Sequence, residues 1–236
     1  MEASLETRRA NPRYAHLGEK REALPAFKQR EEVVTKVRDN QVVLLSGETG
    51  CGKSTQVPQL ILDSCPTAKI LVMQPRKIAA TTLAERIAQE RCCSLGADVG
   101  YQVPFGSKGE HARLVFATLG VFRRRMLTDP DLVGVTHVIF DEVHERDKLA
   151  DFNMIFVRDL LARRRDLRLV LMSATLQMET FERYFSSNGL PPPAKVKVPG
   201  RVYPVSELYM DEVAATLFKQ PLFRQWLGPG ILCGGI

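Results

Sequence analysis

The 236-residue chain has little cysteine, a single tryptophan and no long apolar run, and each shortage removes a class of protein. Its five cysteines (Cys51, Cys65, Cys92, Cys93, Cys233) are odd in number and lack the paired spacing of a zinc site or a disulfide framework. A reducing compartment, cytoplasmic or nuclear, is the expectation. No apolar stretch approaches the roughly 18 residues of a membrane span. The N-terminal "MEASLETRRANPRYAHLGEKRE" also lacks the apolar core of a secretory signal, so no membrane partner is expected. Four histidines without a Cys/His cluster argue against a transition-metal site. What remains is an ordinary globular composition, 44% hydrophobic and 25% charged, long enough for one large domain. The net charge of +6 leans toward a polyanionic partner, although charge alone is weak evidence.

Residues 1–24 are polar, charged and aperiodic, and read as a flexible basic tail. "LPAFKQREEVVTKVRDN" then places Phe27, Val33, Val34 and Val37 at helical spacing. Short apolar runs follow at 42–46, 70–74, 114–118, 138–142 and 169–173, alternating with helical segments. Near-continuous apolar strands alternating with helices predict an α/β fold, a mostly parallel sheet covered by helices on both faces. Each run ends in polar residues: Ser46–Gly47, Gln74–Pro75, Thr118, Asp141–Glu142 and Ser173–Ala174–Thr175. The carboxyl ends of such strands line the ligand crevice of an open α/β sheet, so one edge collects the candidate groups. "NGLPPPAKVKVPG" leads through a proline-rich loop to a sixth strand near 195–198.

Residues 47–55, "GETGCGKST", match the pattern G-x-x-x-x-G-K-[ST] between a predicted strand and a predicted helix. Gly47, Gly50 and Gly52 let backbone N–H groups curl around an anion without Cβ clashes. Glu48, Thr49, Cys51 and Thr55 complete the loop, and the helix opening near Lys53 adds its positive dipole end. In such loops the lysine, here Lys53, reaches the β/γ-phosphates, and the hydroxyl, here Ser54, takes a Mg²⁺ position. The expected cofactors are therefore ATP or another NTP, with Mg²⁺.

"HVIFDEVHERD" at 137–147 sets two carboxylates directly after a buried strand. Asp141 is the metal candidate, since Mg²⁺ prefers hard oxygen ligands. Glu142 is the candidate general base for the attacking water. Taken alone, the pair could equally cap the next helix. His144 is too isolated for a metal site and is expected to hydrogen-bond toward the Ser173/Thr175 turn. The arginine run 163–165 ends a helical pattern and suits a helix C-terminus.

Taken in order, "GETGCGKST", "QPRKIAA", "TLGVFRRRM", "DEVHERD" and "LMSATLQMETFERYF" resemble the DEAH-box helicases of superfamily 2 across residues 25–208. Val143 stands where the name-giving alanine would be, exchanging one small apolar residue for another. The resemblance implies a RecA-like phosphate-loop domain at 25–190, with 191–210 as its terminal loop and strands. It implies nucleotide roles for Lys53, Ser54, Asp141 and Glu142, and coupling of hydrolysis to RNA by Ser173 and Thr175. It places Arg86 where relatives stack an arginine on adenine. It places Arg76, Thr118, Gly120 and Arg123 in segments that touch single-stranded RNA without reading its bases.

Two departures qualify the resemblance. In "GYQVPFGSK", read as a loop, Pro104 stands where relatives often carry arginine, which removes one phosphate contact. Residues 211–236 look irregular and show no motif of the family's second RecA-like domain, so a second domain or a protein activator in trans is an expected partner. Three readings follow: the ATP-binding half of an RNA helicase, a catalytically incomplete NTP-dependent RNA-binding or regulatory module, and a metabolic phosphate-loop kinase. The "SAT" and "QPRKIAA" segments argue against the last.

Overall fold

The computed structural model describes residues 12–174, 178–186, 189–200, 207–209 and 212–213. Chain contacts divide it into a unit ending at Arg201 and a second beginning at Val202. Of the second, Val213 N donates to Tyr209 O at 3.0 Å.

Among the described residues the first unit opens with three helices: α1 (Pro12–Glu22), α2 (Pro25–Lys28) and α3 (Arg30–Asp39). The flexible tail expected through residue 24 is thus corrected from Pro12 onward. Tyr14, Leu17, Gly18 and Arg21 share one α1 face at helical spacing, and Arg21 is buried. Its partners lie far along the chain, which is why the segment looked aperiodic. The single helix expected from Leu24 breaks at Gln29, whose φ of −94° and ψ of 18° leave the helical well. Val33 and Val37 are buried as the spacing required.

Eight strands follow in one sheet: β1 (Val42–Gly47), β2 (Ile70–Gln74), β3 (Val99–Val103), β4 (Gly106–Lys108), β5 (Leu114–Thr118), β6 (His137–Phe140), β7 (Arg168–Ser173) and β8 (Ala194–Val198). Their spatial order is β4-β3-β5-β2-β6-β7-β1-β8, and only β4 runs antiparallel. Covering helices are α4 (Lys53–Ser64), α5 (Lys77–Glu90), α6 (Leu119–Thr128), α7 (Lys148–Arg163) and α8 (Met178–Ser186). The fold is the mostly parallel α/β architecture the apolar runs predict.

Side chains alternate along β1, so Val43 and Leu45 enter one core and Val42 and Leu44 the other. The first core adds Val33, Val57, Ile61, Ala84 and Ile87 from α3, α4 and α5. The second adds Phe122, Met154, Val157 and Phe185 from α6, α7 and α8. The sheet is therefore buried on both faces, and ligands are left its edges.

"GYQVPFGSK" is a hairpin, not a loop: β3 pairs with β4, and Pro104–Phe105 form its turn. Its glycines hide the strand pattern, yet close packing requires one of them. A Cβ on Gly100 would meet the Gly109 carbonyl oxygen at 2.3 Å. The run 138–142 also ends early, because β6 stops at Phe140 and leaves Asp141 and Glu142 beyond the strand. Arg163 pairs with Asp131 at 3.1 Å, and Arg164 donates to the carbonyls of Asp131 and Leu132, so this run secures the end of α7. Residues 201–206 and most of 210–236, including Trp226, lie outside the described residues.

Candidate nucleotide site

The site grows out of strand order. β1 and β6 flank β7, so the loops leaving β1 and β6 meet above Ser173 at the end of β7. β1 connects forward to β2, which lies beyond β6, and this jump opens a crevice at the carboxyl edge.

The loop after β1 turns on two left-handed glycines, Gly50 (φ 84°) and Gly52 (φ 90°), and Gly52 caps α4. Both conformations would strain any residue with a Cβ. Thr55 Oγ1 donates to Gly52 O at 3.2 Å and Gln56 N to the same carbonyl at 2.8 Å, closing the first turn. A cleft of about 350 Å³ opens above, lined by Thr49, Gly50, Gly52, Lys53, Ser54, Thr55, Arg86, Glu90, Glu142 and Leu24. Three other predicted loop residues do not line it. Gly47 and Cys51 are buried beneath, where a Cβ on Gly47 would meet Cys51 Sγ at 2.8 Å. Glu48 is exposed and lies against Gly200.

Lys53 is 4% exposed, and its Nζ stands 3.8 Å from Glu142 Oε1. A buried ammonium demands a nearby anion, and Glu142 supplies one. Asp141 is 5% exposed and accepts Gln74 Nε2 at 2.7 Å. Burial raises its carboxyl above the usual range and the Glu142 charge adds to this, while the Ser54 hydroxyl, Gln74 and Lys53 pull it back. Asp141 also accepts the Glu142 N–H at 2.9 Å. Glu142 sits in the left-handed region (φ 54°), a conformation costing a carboxylate residue on the order of 1 kcal/mol. That twist turns Asp141 toward the helix end and Glu142 toward the cleft, so adjacent residues face different environments.

His144 Nδ1 is 3.3 Å from Ala174 N and 3.3 Å from Glu142 Oε2. Both contacts use one nitrogen, so one proton decides between them. The Nε2–H tautomer accepts from Ala174, whereas a ring carrying its proton on Nδ1 donates to Glu142. The bond toward the Ser173 turn is the one the sequence suggested. Thr175 lies outside the described residues.

Arg86 faces the cleft with its Nε 2.8 Å from Glu90 Oε1. On the neighbouring strand ends, Gln74 is in register with Thr118, which brings Arg76, Thr118 and Gly120 together. Arg76, Gly120 and Arg123 are exposed, and Arg76 pairs with Glu145 at 3.0 Å. Thr118 is only 7% exposed, and its hydroxyl finds no partner among the described residues. It is therefore less available to a ligand than the sequence reading implied.

Against known families, the sequence model for the DEAD/DEAH box helicase matches residues 27–184. The chain belongs to the DEAD/DEAH box helicase family. Its matches include the DExH-box ATP-dependent RNA helicase DExH1 of Arabidopsis thaliana, 46% identical over 82% of this chain and 20% of the relative. The putative ATP-dependent RNA helicase DHX57 of Homo sapiens is 40% identical over 88% of this chain and 15% of its own length. The ATP-dependent RNA helicase DHX30 of Rattus norvegicus is 42% identical over 83% and 17%. The chain thus spans a fifth or less of these helicases. Among the described residues no helix is long and apolar enough to cross a membrane.

Sequence reasoning missed Arg21, Leu24, Gln56, Gln59 and Glu90, which border or brace the cleft. No local pattern marks them, because each acts through a residue distant in sequence. Gln74, by contrast, was legible as a polar amide ending an apolar strand, and that strand lies beside the one leading to the carboxylates.

Proposed function

We propose that this chain is the ATP-binding domain of an ATP-dependent RNA helicase, coupling NTP binding and hydrolysis to sequence-independent contact with single-stranded RNA. The observation carrying this reading is the Lys53–Glu142 pair at 3.8 Å beside the buried Asp141 carboxylate, which accepts Gln74, inside a glycine cradle. A buried amine and a helix N-terminus hold polyanionic phosphates, and a desolvated carboxylate beside a hydroxyl suits Mg²⁺. Ser54 and Asp141 would hold the ion, which supplies charge neutralisation on the phosphates when bound. Glu142 would accept the proton of the attacking water, and Arg86 would stack on the base. Stacking reads no base edge, so discrimination among NTPs is low.

RNA would lie along Arg76, Gly120 and Arg123, with Thr118 behind them. Phosphate contacts carry no sequence information and weaken with salt. Among the described cleft residues the cations are Lys53 and Arg86, and Arg86 is already paired with Glu90. A further cation on the transferring phosphoryl, worth roughly 10³–10⁵ in rate in related NTPases, would come from a second RecA-like domain or an activator in trans. That requirement keeps open a regulatory module with little turnover of its own. The cytoplasm or nucleus is the proposed setting.

The test is binding of a fluorescent ATP analogue and of unrelated single-stranded RNAs. Lys53→Ala should lose the nucleotide, and Arg123→Ala should weaken all RNAs alike and flatten the salt dependence by about 0.7 per lost phosphate contact. Unchanged ATP affinity in Lys53→Ala, or tight salt-insensitive binding to one RNA, would refute the reading.

A further inference from the structure

Beneath the base-facing side of the cleft lies a polar network that the nucleotide motifs do not include. Glu90, 2% exposed, closes α5. One of its oxygens accepts Gln59 Nε2 at 2.8 Å and Gln56 Nε2 at 3.2 Å, and lies 3.8 Å from Arg21 Nε. Its other oxygen takes Arg86 Nε at 2.8 Å. Arg21, 6% exposed, donates to Gln56 Oε1 at 2.9 Å and stacks over Phe27 at 5.7 Å.

The same N-terminal segment is tied to the phosphate loop. Ala26 N donates to Cys51 O at 3.0 Å, and Leu24 both lines the cleft and packs against Gly52, where a Cβ would meet Leu24 Cδ1 at 3.1 Å. A carboxylate buried this deeply is held by its partners and cannot reorient freely. Arg86, by contrast, is half exposed, and its guanidinium has one anchored end. Its orientation over the cleft is therefore set by a group that α1 and α4 hold still.

We infer that Arg21 and Glu90 are positioning residues for the nucleotide base: Arg21 of α1 fixes Glu90, and Glu90 holds the Arg86 guanidinium in the plane that meets the base. Helix α1, the first of the three described ahead of the first strand, is thereby part of the nucleotide site. It controls recognition of the nucleoside and leaves the phosphate contacts of Lys53 and Ser54 alone. This inference rests on the assignment of Arg86 to the base under the proposed function.

The experiment measures binding of Mg²⁺-ATP and of Mg²⁺-tripolyphosphate to the full chain. Variants are Arg21→Gln, Glu90→Gln, Arg86→Ala and the double variant Arg21→Gln/Arg86→Ala. Each single variant should lose roughly threefold to thirtyfold in ATP affinity, the range of a cation over an aromatic ring, with tripolyphosphate affinity unchanged. The double variant should bind ATP no more weakly than Arg86→Ala, because both changes remove one interaction. A general folding defect would weaken tripolyphosphate as well, and its loss in both Arg21→Gln and Glu90→Gln would overturn the inference in favour of a purely structural network. Wild-type ATP affinity in Arg21→Gln and Glu90→Gln, with Arg86→Ala impaired, would overturn it while sparing the base assignment. Wild-type affinity in Arg86→Ala would overturn both, and failure of the wild type to bind either ligand would remove the nucleotide reading itself.

Discussion

Replacing Glu142 with glutamine should separate the two jobs of this carboxylate. In the nucleotide-free chain it neutralises a buried ammonium at 3.8 Å. At an effective dielectric of about 20 that separation corresponds to roughly 4 kcal/mol of gross attraction. Glu142 is 29% exposed, so water screening reduces the net value to about 1–2 kcal/mol. For a domain of this size 1 kcal/mol moves the melting temperature by about 2–4 °C. The nucleotide-free Glu142→Gln protein should therefore melt about 2–8 °C below wild type. Triphosphate oxygens replace the missing charge beside Lys53, so a saturating non-hydrolysable ATP analogue should bring the two melting temperatures together. Hydrolysis should still fall by about 10²–10⁴, the usual contribution of a general base. Differential scanning fluorimetry with and without the analogue, followed by phosphate-release kinetics, reads both effects. Equal melting temperatures without nucleotide, or a gap that persists undiminished at saturation, would refute the argument.

Two further outcomes test the fold around the site. Burial, reinforced by the Arg168 charge, lowers the His137 pKa from 6.5 to about 4, so the folded chain holds it neutral while the unfolded chain protonates. Stability should therefore be complete above about pH 6.5 and decline as pH falls toward 4, by on the order of 3 kcal/mol in all. His137→Phe should flatten that slope in urea titrations at pH 7.5 and 5, and an unchanged slope would discard the explanation. Gly109→Ala, at φ +70° and against Gly96, should destabilise by about 2–3 kcal/mol. Gly134→Ala, at φ +80° in open space, should cost only about 1 kcal/mol, and urea midpoints showing the reverse order would contradict the packing argument.

Much of this protein was legible before any coordinates. The apolar runs that became β1, β2, β5, β6 and β7 are buried along nearly their whole length, so continuous hydrophobicity marked them. The glycine turn before α4 and the carboxylates after β6 were legible in their local placement, because each is a pattern among neighbours in sequence. The β3–β4 hairpin was not, because its strands carry glycine where packing is tight and polar residues at an exposed edge. Strand order was decided only in three dimensions, and that order places the loops of β1 and β6 on either side of β7. The left-handed twist at Glu142 likewise arises from the fold, and it gives two adjacent carboxylates opposite surroundings. Arg21 is the clearest case. In sequence it belongs to a charged segment with no apolar period, and burying it would cost several kcal/mol without a counter-ion. Glu90 and Gln56, 69 and 35 positions away, supply the partners that tie that segment from Pro12 onward to the wall of the cleft.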